Sequence, residues 1–334
     1  MTASPAHVPD PGIAGRVPTA VVVEDGRVRV RWTALRDLRF VHPFFEDTTA
    51  RARAFPENRP PTVTDAAALF DAAALLPPPP PPTFLFHVSR CGSTLLTQQL
   101  ALDDRCIVLS EAPVLDACLR LHLKSPGVVS EETGDRLFLA ALAVLARPRF
   151  PAESLLFVKA DSWHVHLHGR LRRMFPDAPM VLLHREPSAV LGSHRRQPGM
   201  HAVPGMIEPE VFGFDAEDRA EILPLPHLDR VLRTYYERMA AILRSDPRAH
   251  ALGYVPDGAA LFGRFCALVG HTPPAALRER LAERGRFHAK RPGQAFEEPC
   301  APAAPVPVSA RTLAAYGTLL AAARPLVPSR GESA

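Results

Sequence analysis

Residues 89–94 are the stretch of the chain best equipped for chemistry. They read Ser-Arg-Cys-Gly-Ser-Thr and follow the apolar run Phe84–Val88, whose aromatic and β-branched residues predict a buried strand. Residues 95–100 continue as a predicted helix. A glycine lets the backbone approach a ligand, and hydroxyl side chains are typical of helix caps. Because a helix start also offers free N–H groups and a favourable dipole, this segment predicts an anion site with Arg90 as its cation.

Three further apolar runs each end at, or just before, an ionisable residue. These pairs are Cys106–Ser110 with Glu111, Ser154–Lys159 with Lys159 itself, and Pro179–His184 with Arg185. The strands alternate with predicted helices, which indicates an α/β fold: a P-loop-type, three-layer arrangement with a mainly parallel central sheet flanked by helices. Ligands of such sheets bind beyond the carboxyl ends of the strands. We therefore expect Arg90, Glu111, Lys159 and Arg185 to converge at one edge.

The loop differs from that of nucleotide triphosphatases, where a lysine directly precedes the final Ser/Thr. Here Gly92 stands before Ser93-Thr94, and the cation lies on the other side of the glycine. The loop instead resembles the 5′-phosphosulfate loop of sulfotransferases, in the form Pro-Arg-Ser-Gly-Thr-Thr-Leu of the tyrosylprotein sulfotransferases and related bacterial proteins. The matching residues are Arg90, Gly92, Thr94 and Leu95, and the departures are Ser89, Cys91 and Ser93.

Arg185 and Ser193 carry a second resemblance to the same family. Sulfotransferases bind the 3′-phosphate of their nucleotide with an arginine at a strand end and a serine eight residues later, and Arg185 and Ser193 have that spacing. Lys159 resembles the lysine that contacts the transferring sulfuryl group in the tyrosylprotein branch. Glu111 stands where that branch has its catalytic glutamate. Lys290 lies in a basic segment that is loosely similar to the one closing over the 3′-phosphate.

This resemblance implies transfer of a sulfuryl group from 3′-phosphoadenylyl sulfate (PAPS) to a hydroxyl or amine acceptor, without a metal ion. Glu111 is the implied general base, with His184 or a nearby histidine in reserve, and Arg90 and Lys159 would stabilise the developing charge. The residues implied to bind the nucleotide are Arg90, Cys91, Gly92, Ser93, Thr94, Arg185, Ser193 and Lys290.

Two other functions stay open at this point. One is a P-loop kinase-like phosphotransferase, although the chain lacks the Gly-Lys-Ser/Thr segment and an acidic Walker B cluster. The other is a non-catalytic nucleotide-binding module, which the departures at Ser89 and Cys91 keep under consideration. The acceptor and the oligomeric state are open as well.

Composition limits the remaining function classes. The chain has 334 residues, 47% of them hydrophobic, and a net charge of +4, so it can bury a large core and favours an anionic ligand. No basic tract with interleaved aromatic residues suggests nucleic-acid binding. No signal peptide or transmembrane stretch is apparent, and the five cysteines show no disulfide or metal spacing. We therefore expect a cytoplasmic protein.

The predicted organisation has three parts. Residues 1–76 form a leader, in which Asp25-Gly26 predicts a β-hairpin and Ala66–Leu76 a short helix. Residues 77–82, all proline, predict a polyproline II spacer rather than a ligand for an SH3-like partner. Residues 83–334 form the sulfotransferase-like α/β domain.

Further helices and a fifth strand complete this prediction. Helices are predicted at Glu131–Arg147, His164–Phe175, around residues 228–243 and at Gly258–Gly270, and a weaker strand at His250–Val255. His164 and His168 would share one helical face, as zinc ligands can. No glutamate of a His-Glu-x-x-His motif and no third ligand accompanies them, so the sequence predicts no metal site.

Overall fold

The computed structural model describes residues 12–287 and 306–323. Within these residues, the strands are β1 (Arg16–Glu24), β2 (Arg27–Ala34), β3 (Thr62–Asp65), β4 (Pro82–His87), β5 (Cys106–Ser110), β6 (Leu155–Lys159), β7 (Met180–His184) and β8 (Ala249–Gly253). The helices are α1 (Phe45–Ala52), α2 (Ala66–Ala74), α3 (Ser93–Leu100), α4 (Pro113–Lys124), α5 (Glu131–Leu145), α6 (His168–Met174), α7 (Pro187–Arg196), α8 (Pro209–Phe212), α9 (Ala216–Arg219), α10 (Pro224–Ser245), α11 (Gly258–Val269), α12 (Arg278–Gly285) and α13 (Ala310–Ala322). None of the helices in this part of the chain is long and apolar enough to cross a membrane.

The central sheet has the strand order β5-β6-β4-β7-β8, and every pair in it is parallel. Its strands are short and almost entirely buried, as expected for a parallel sheet covered on its faces. Helices α3, α10 and α11 contact its strands. The molecule therefore has the predicted α/β fold, with a mainly parallel central sheet flanked by helices. All five strands end at the same edge, which we call the carboxyl edge.

A second, antiparallel sheet of order β1-β2-β3 lies near the N-terminus. Asp25 and Gly26 join β1 to β2 with φ of 52° and 72°, and left-handed backbone at both residues suits a two-residue hairpin turn. The predicted hairpin is thus confirmed, and the predicted helix at Ala66–Leu76 is α2. We call residues 16–74 the N-terminal unit, which packs through β1 on α4 and α5. The division of the chain into these three parts stays a prediction.

Several predicted boundaries are corrected by the structure. Pro82 is not spacer but the first residue of β4, paired with Leu156, a position where proline is tolerated because a strand start need not donate. The predicted helix His164–Phe175 is a 3₁₀ segment, Ser162–Leu167, followed by α6. Helices α5, α10 and α11 confirm the helices predicted at Glu131–Arg147, around residues 228–243 and at Gly258–Gly270. Helix α4 and the short elements α1 and β3 were not predicted.

A buried polar cluster ties α4 to the segment that follows β6. Asp116 accepts hydrogen bonds from Arg120 Nε (2.8 Å), Trp163 Nε1 (2.7 Å) and His164 Nε2 (2.9 Å). Arg120 also pairs with Glu208. Burial alone would raise the pKa of the Asp116 carboxyl, but His164 and Arg120 hold it well below its usual range. The cluster thus depends on an ionised Asp116.

Replacing Asp116 by asparagine is expected to lower the free energy of unfolding by about 3 kcal/mol, because it leaves the guanidinium of Arg120 buried without its main counter-ion. The depressed pKa means that this stabilisation is complete above about pH 4 and is lost as the pH falls further. Urea denaturation at pH 7 and at pH 2.5 measures both effects, because the carboxyl of the folded protein stays ionised at pH values just below 4. The control is Asp104→Asn, at an exposed pair with Arg39, where about 0–1 kcal/mol is expected. Equal losses in the two variants would contradict the prediction.

Candidate active site

The loop between β4 and α3 has an unusual backbone. Ser89, Arg90 and Gly92 have φ of 68°, 52° and 82°, so two residues with side chains adopt the left-handed conformation beside the glycine. Such residues are uncommon outside glycine and cluster at functional sites. Glu111, at the end of β5, also has a positive φ, 49°. Three of the five such residues in the described part of the chain therefore lie at the carboxyl edge.

Gly92 stands directly before α3 and is enclosed by two side chains. A Cβ at this position would lie 3.0 Å from Leu261 Cδ2 and 3.2 Å from Tyr254 Cε2. Its φ also disfavours any other residue. Because α3 begins directly after the loop that follows β4, its first N–H groups lie at the carboxyl edge, and helix N-termini in this arrangement can bind anions.

Arg90 supplies positive charge on one side of this loop. Its Nη2 donates to the carbonyl of Gln197 (2.6 Å), while its buried Nε has no hydrogen-bond partner among the described residues. Burial and the neighbouring Arg196 lower the pKa of the guanidinium, which still leaves it protonated at neutral pH. An unused donor beside a helix start fits an anionic group of a ligand.

Lys159 and Glu111 form the centre of the site. The end of β6 and the end of β5 are neighbours in the sheet, and the Lys159 Nζ lies 2.7 Å from Glu111 Oε1. The same ammonium donates to Thr94 Oγ1 in the first turn of α3 (3.1 Å). Only 1% of the Lys159 side chain is exposed, against 23% for Glu111. Glu111 and Lys159 were predicted to lie at one edge, and the structure brings them into contact with each other and with Thr94 of the loop.

His87, the last residue of β4, completes this cluster. Its Nδ1 accepts the N–H of Ser89 (3.0 Å), so Nε2 carries the proton, and Nε2 lies 3.1 Å from Glu111 Oε1. Burial alone would raise the pKa of the Glu111 carboxyl, but Lys159 and His87 together hold it well below its usual range. Glu111 is therefore ionised throughout the neutral range, with His87 and Lys159 fixing its orientation.

Arg185 follows β7 and contacts the loop between β4 and α3. Its Nη1 donates to the carbonyl of Arg90 (3.0 Å), and its guanidinium lies over the ring of Tyr254, 4.0 Å from the centroid. The Tyr236 hydroxyl donates to the carbonyl of Arg185 (2.8 Å). Ser193 lies in the second turn of α7, the helix that follows. Lys290, the last predicted nucleotide-binding residue, lies outside the described residues.

Cys91 and Ser93 line the inside of the loop. The Cys91 thiol is buried, with Sγ 3.8 Å from the carbonyl of Leu183, and burial raises its pKa to about 11. It is therefore a neutral thiol that packs under the loop, rather than a nucleophile. Ser93 is the first residue of α3 and is buried.

His184, the alternative candidate for the general base, does not contact Glu111. Its ring packs edge-on against Tyr316 of α13, with centroids 5.8 Å apart. Burial lowers its pKa to about 4, so it is neutral at pH 7. Of the two histidines that end β4 and β7, His87 rather than His184 lies beside the carboxylate of Glu111.

Two groups of potential metal ligands occur among residues 12–287 and 306–323. They are Asp103, Cys106 and His271, and Asp116, Asp161 and His164, with ligand atoms within 4.8 Å of one another in each group. In each group one carboxylate already pairs with an arginine, Asp103 with Arg105 and Asp116 with Arg120. His164 and His168 do not share a site, because His168 pairs with Asp246 (2.8 Å). Neither group includes Glu111 or Lys159.

Three residues of the site were missed by sequence reasoning. His87 was read as part of an apolar strand, although a histidine at the carboxyl end of a strand was a usable signal. Tyr254 directly follows β8 and supports both Gly92 and Arg185. Phe44 comes from the N-terminal unit, and its ring centroid lies 5.2 Å from Lys159 Nζ. Nothing local in the sequence marks Phe44 or Tyr254.

Comparisons with known proteins give structural neighbours alone. No protein-family model and no curated protein matches the chain. A crystal structure of a sulfotransferase from Alicyclobacillus acidocaldarius is 15% identical and covers 62% of this chain and 92% of that one, with a TM-score of 0.38. A sulfotransferase from Mycobacterium avium is 14% identical and covers 63% and 68%, with a TM-score of 0.37. Values this low assign neither a family nor an activity.

Proposed function

We propose that the chain is a sulfotransferase that moves a sulfuryl group from PAPS to a hydroxyl or amine acceptor. The observation that carries this proposal is the contact of Lys159 with both Glu111 and Thr94, at the N-terminus of α3. A cation, a carboxylate and an anion-binding helix start thus meet at one point. Lys159 suits the transfer of an anionic group, and Glu111 suits an acceptor that must lose a proton.

The nucleotide would be held by two anion sites. The N–H groups of residues 92–94, with Arg90, would hold the 5′-phosphate, and the unused Nε donor of Arg90 supports this assignment. Arg185 and Ser193 would hold the 3′-phosphate. Lys290 would add a further positive charge at the 3′-phosphate. PAPS, when bound, would supply the sulfuryl group, and adenosine 3′,5′-bisphosphate would be the leaving group.

The reacting groups would divide the work as follows. Lys159 and Arg90 would stabilise charge on the sulfuryl and bridging oxygens, since transfer of this kind has a loose, charge-separated transition state similar to phosphoryl transfer. Glu111 would take the acceptor proton. Because the contacts of Lys159 and His87 both engage Oε1 of Glu111, Oε2 is the oxygen we assign to the acceptor. His87 would keep the carboxylate oriented.

Calorimetric titration with adenosine 3′,5′-bisphosphate (PAP) beside ATP tests the proposal. Selective binding of PAP without added metal is the expected result. Preferential binding of ATP with magnesium would overturn the proposal in favour of a phosphotransferase. Binding of PAP together with no transfer from PAPS to any screened phenol, sugar alcohol or amine would overturn it in favour of a non-catalytic module.

Replacing Arg185 by alanine is expected to weaken PAP binding roughly tenfold or more, because a hydrogen bond to a charged group contributes about 1.5–3 kcal/mol. Binding of 5′-AMP, which lacks the 3′-phosphate, should change less, since it is affected only through the lost hydrogen bond from Arg185 to the carbonyl of Arg90. Titrations of both nucleotides measure the difference. Arg248→Ala is the control, since Arg248 pairs with the exposed Asp177 at the opposite edge of the sheet. An equal loss for PAP and 5′-AMP would contradict the assignment of Arg185.

A further inference from the structure

One neighbour of the Lys159 ammonium comes from outside both the central sheet and α3. Glu111 and Thr94 contact it from β5 and α3, whereas the ring of Phe44 covers it from the N-terminal unit, 5.2 Å from Nζ to the centroid. The Lys159 side chain is 1% exposed. Phe44 therefore helps to shield the ammonium of Lys159 from water.

Phe44 is held in this position by its own surroundings. Its N–H donates to Asp47 Oδ2 (3.0 Å) at the start of α1, and its backbone is extended. The next residue, Phe45, is buried and stacks on Phe40, with ring centroids 5.4 Å apart. These contacts fix the backbone at the start of α1, so the ring of Phe44 faces Lys159 from a defined position.

We propose that Phe44 is a positioning residue for Lys159, so that the N-terminal unit completes the active site. The face of an aromatic ring attracts a cation, and more strongly where water is excluded. The ring holds the ammonium against Thr94 and Glu111 and keeps the local dielectric low, which strengthens the pull of Lys159 on an anionic group. The shielding of Lys159 stands on the contacts alone, whereas its catalytic consequence rests on the proposed function.

Chemical modification of lysine tests the shielding directly. The sequence contains three lysines, Lys124, Lys159 and Lys290. Brief treatment with acetic anhydride, followed by peptide mass spectrometry, gives the acetylation rate of each. In the unaltered protein we expect Lys159 to react more slowly than Lys124. In Phe44→Ala we expect its rate to rise roughly tenfold, and in Phe44→Leu, which keeps apolar bulk, to rise less.

A matched control comes from the same kind of contact elsewhere. Phe70 lies under the guanidinium of Arg136, 5.0 Å from its ring centroid, away from the carboxyl edge. Phe70→Ala is expected to leave the acetylation of Lys159 unchanged. Circular dichroism and thermal melting establish that each variant is folded. Unchanged acetylation of Lys159 in folded Phe44→Ala and Phe44→Leu would overturn the proposal.

A double-mutant cycle distinguishes positioning from general structural support. The measured quantity is the affinity for PAPS relative to PAP, since the sulfuryl group is the part that Lys159 would contact. Phe44→Leu and Lys159→Met are each expected to lower this ratio, and the double variant should lose no more than Lys159→Met alone. Fully additive losses would overturn the proposal. If the unaltered protein binds neither nucleotide, the proposed function fails, and the acetylation rates still decide the role of Phe44.

Discussion

Replacing Glu111 by glutamine is expected to lower sulfuryl transfer by about 10²–10⁴-fold, while affinity for PAP stays nearly unchanged. Glutamine keeps the size of the side chain and an oxygen that can accept from Lys159 and His87. It cannot take up a proton, so the variant removes only the step assigned to the carboxylate. Transfer to a phenol or sugar alcohol found by screening the unaltered protein gives the rate, and calorimetry with PAP gives the affinity.

The same change at Glu208 provides the control. Glu208 pairs with Arg120 and is 23% exposed, as Glu111 is, but it lies outside the cluster around Lys159. Glu208→Gln is expected to retain transfer. Parallel loss of PAP affinity and turnover in Glu111→Gln would instead assign Glu111 an orienting role. Unchanged turnover would exclude it as the base, and His87 would then be the group to test next, because His184 lies against α13.

Replacing Lys159 by methionine is expected to lower transfer by about 10²–10³-fold, the usual cost of removing one group that stabilises transition-state charge. Methionine fills a similar volume without the charge, and PAP lacks the sulfuryl group, so PAP affinity should change little. Lys124→Met, a lysine on α4, is the control and should retain transfer. A loss of PAP affinity as large as the loss of rate would contradict the assignment of Lys159 to the sulfuryl group.

The same variant also changes the pH dependence of the reaction. Lys159 is the charge that does most to counter the effect of burial on the Glu111 carboxyl, so its removal raises the pKa of that carboxyl. In the unaltered protein, protonation of Glu111 should not affect the rate of transfer down to about pH 5, because the pKa of this carboxyl lies well below the usual range. In Lys159→Met the residual rate should fall at a higher pH than in the unaltered protein. Rate profiles between pH 5 and pH 8 measure the shift.

The parts of the fold that could be predicted from the sequence depend on local patterns. The loop after β4 was recognisable because strand, glycine and helix start follow one another directly in residues 84–100. The hairpin at Asp25-Gly26 was recognisable because its turn requires two left-handed residues. In contrast, α4 carries the buried charged residues Asp116 and Arg120, which interrupt its apolar periodicity.

The candidate site was predictable as a set of strand ends, but its contacts were not. Lys159 meets Glu111 because β6 lies beside β5, and the order of strands in a sheet is a property of the whole fold. The ring of Phe44 reaches Lys159 from a segment far away in the chain. Tyr254 reaches Gly92 only because β8 pairs with β7 at the end of the sheet. No pattern within a short window of sequence contains this information.

The left-handed residues at the carboxyl edge have a consequence for the kinetics of ligand capture. Each such residue costs the folded state about 1–3 kcal/mol, and Ser89, Arg90 and Glu111 all carry this cost at the carboxyl edge. The loop is held in place by the contact of Arg185 with the carbonyl of Arg90 and that of His87 with the N–H of Ser89. Both contacts are made within the chain, so a phosphate that binds as proposed should meet donors already arranged. Its association rate should then be governed by diffusion and electrostatic attraction rather than by rearrangement of the loop.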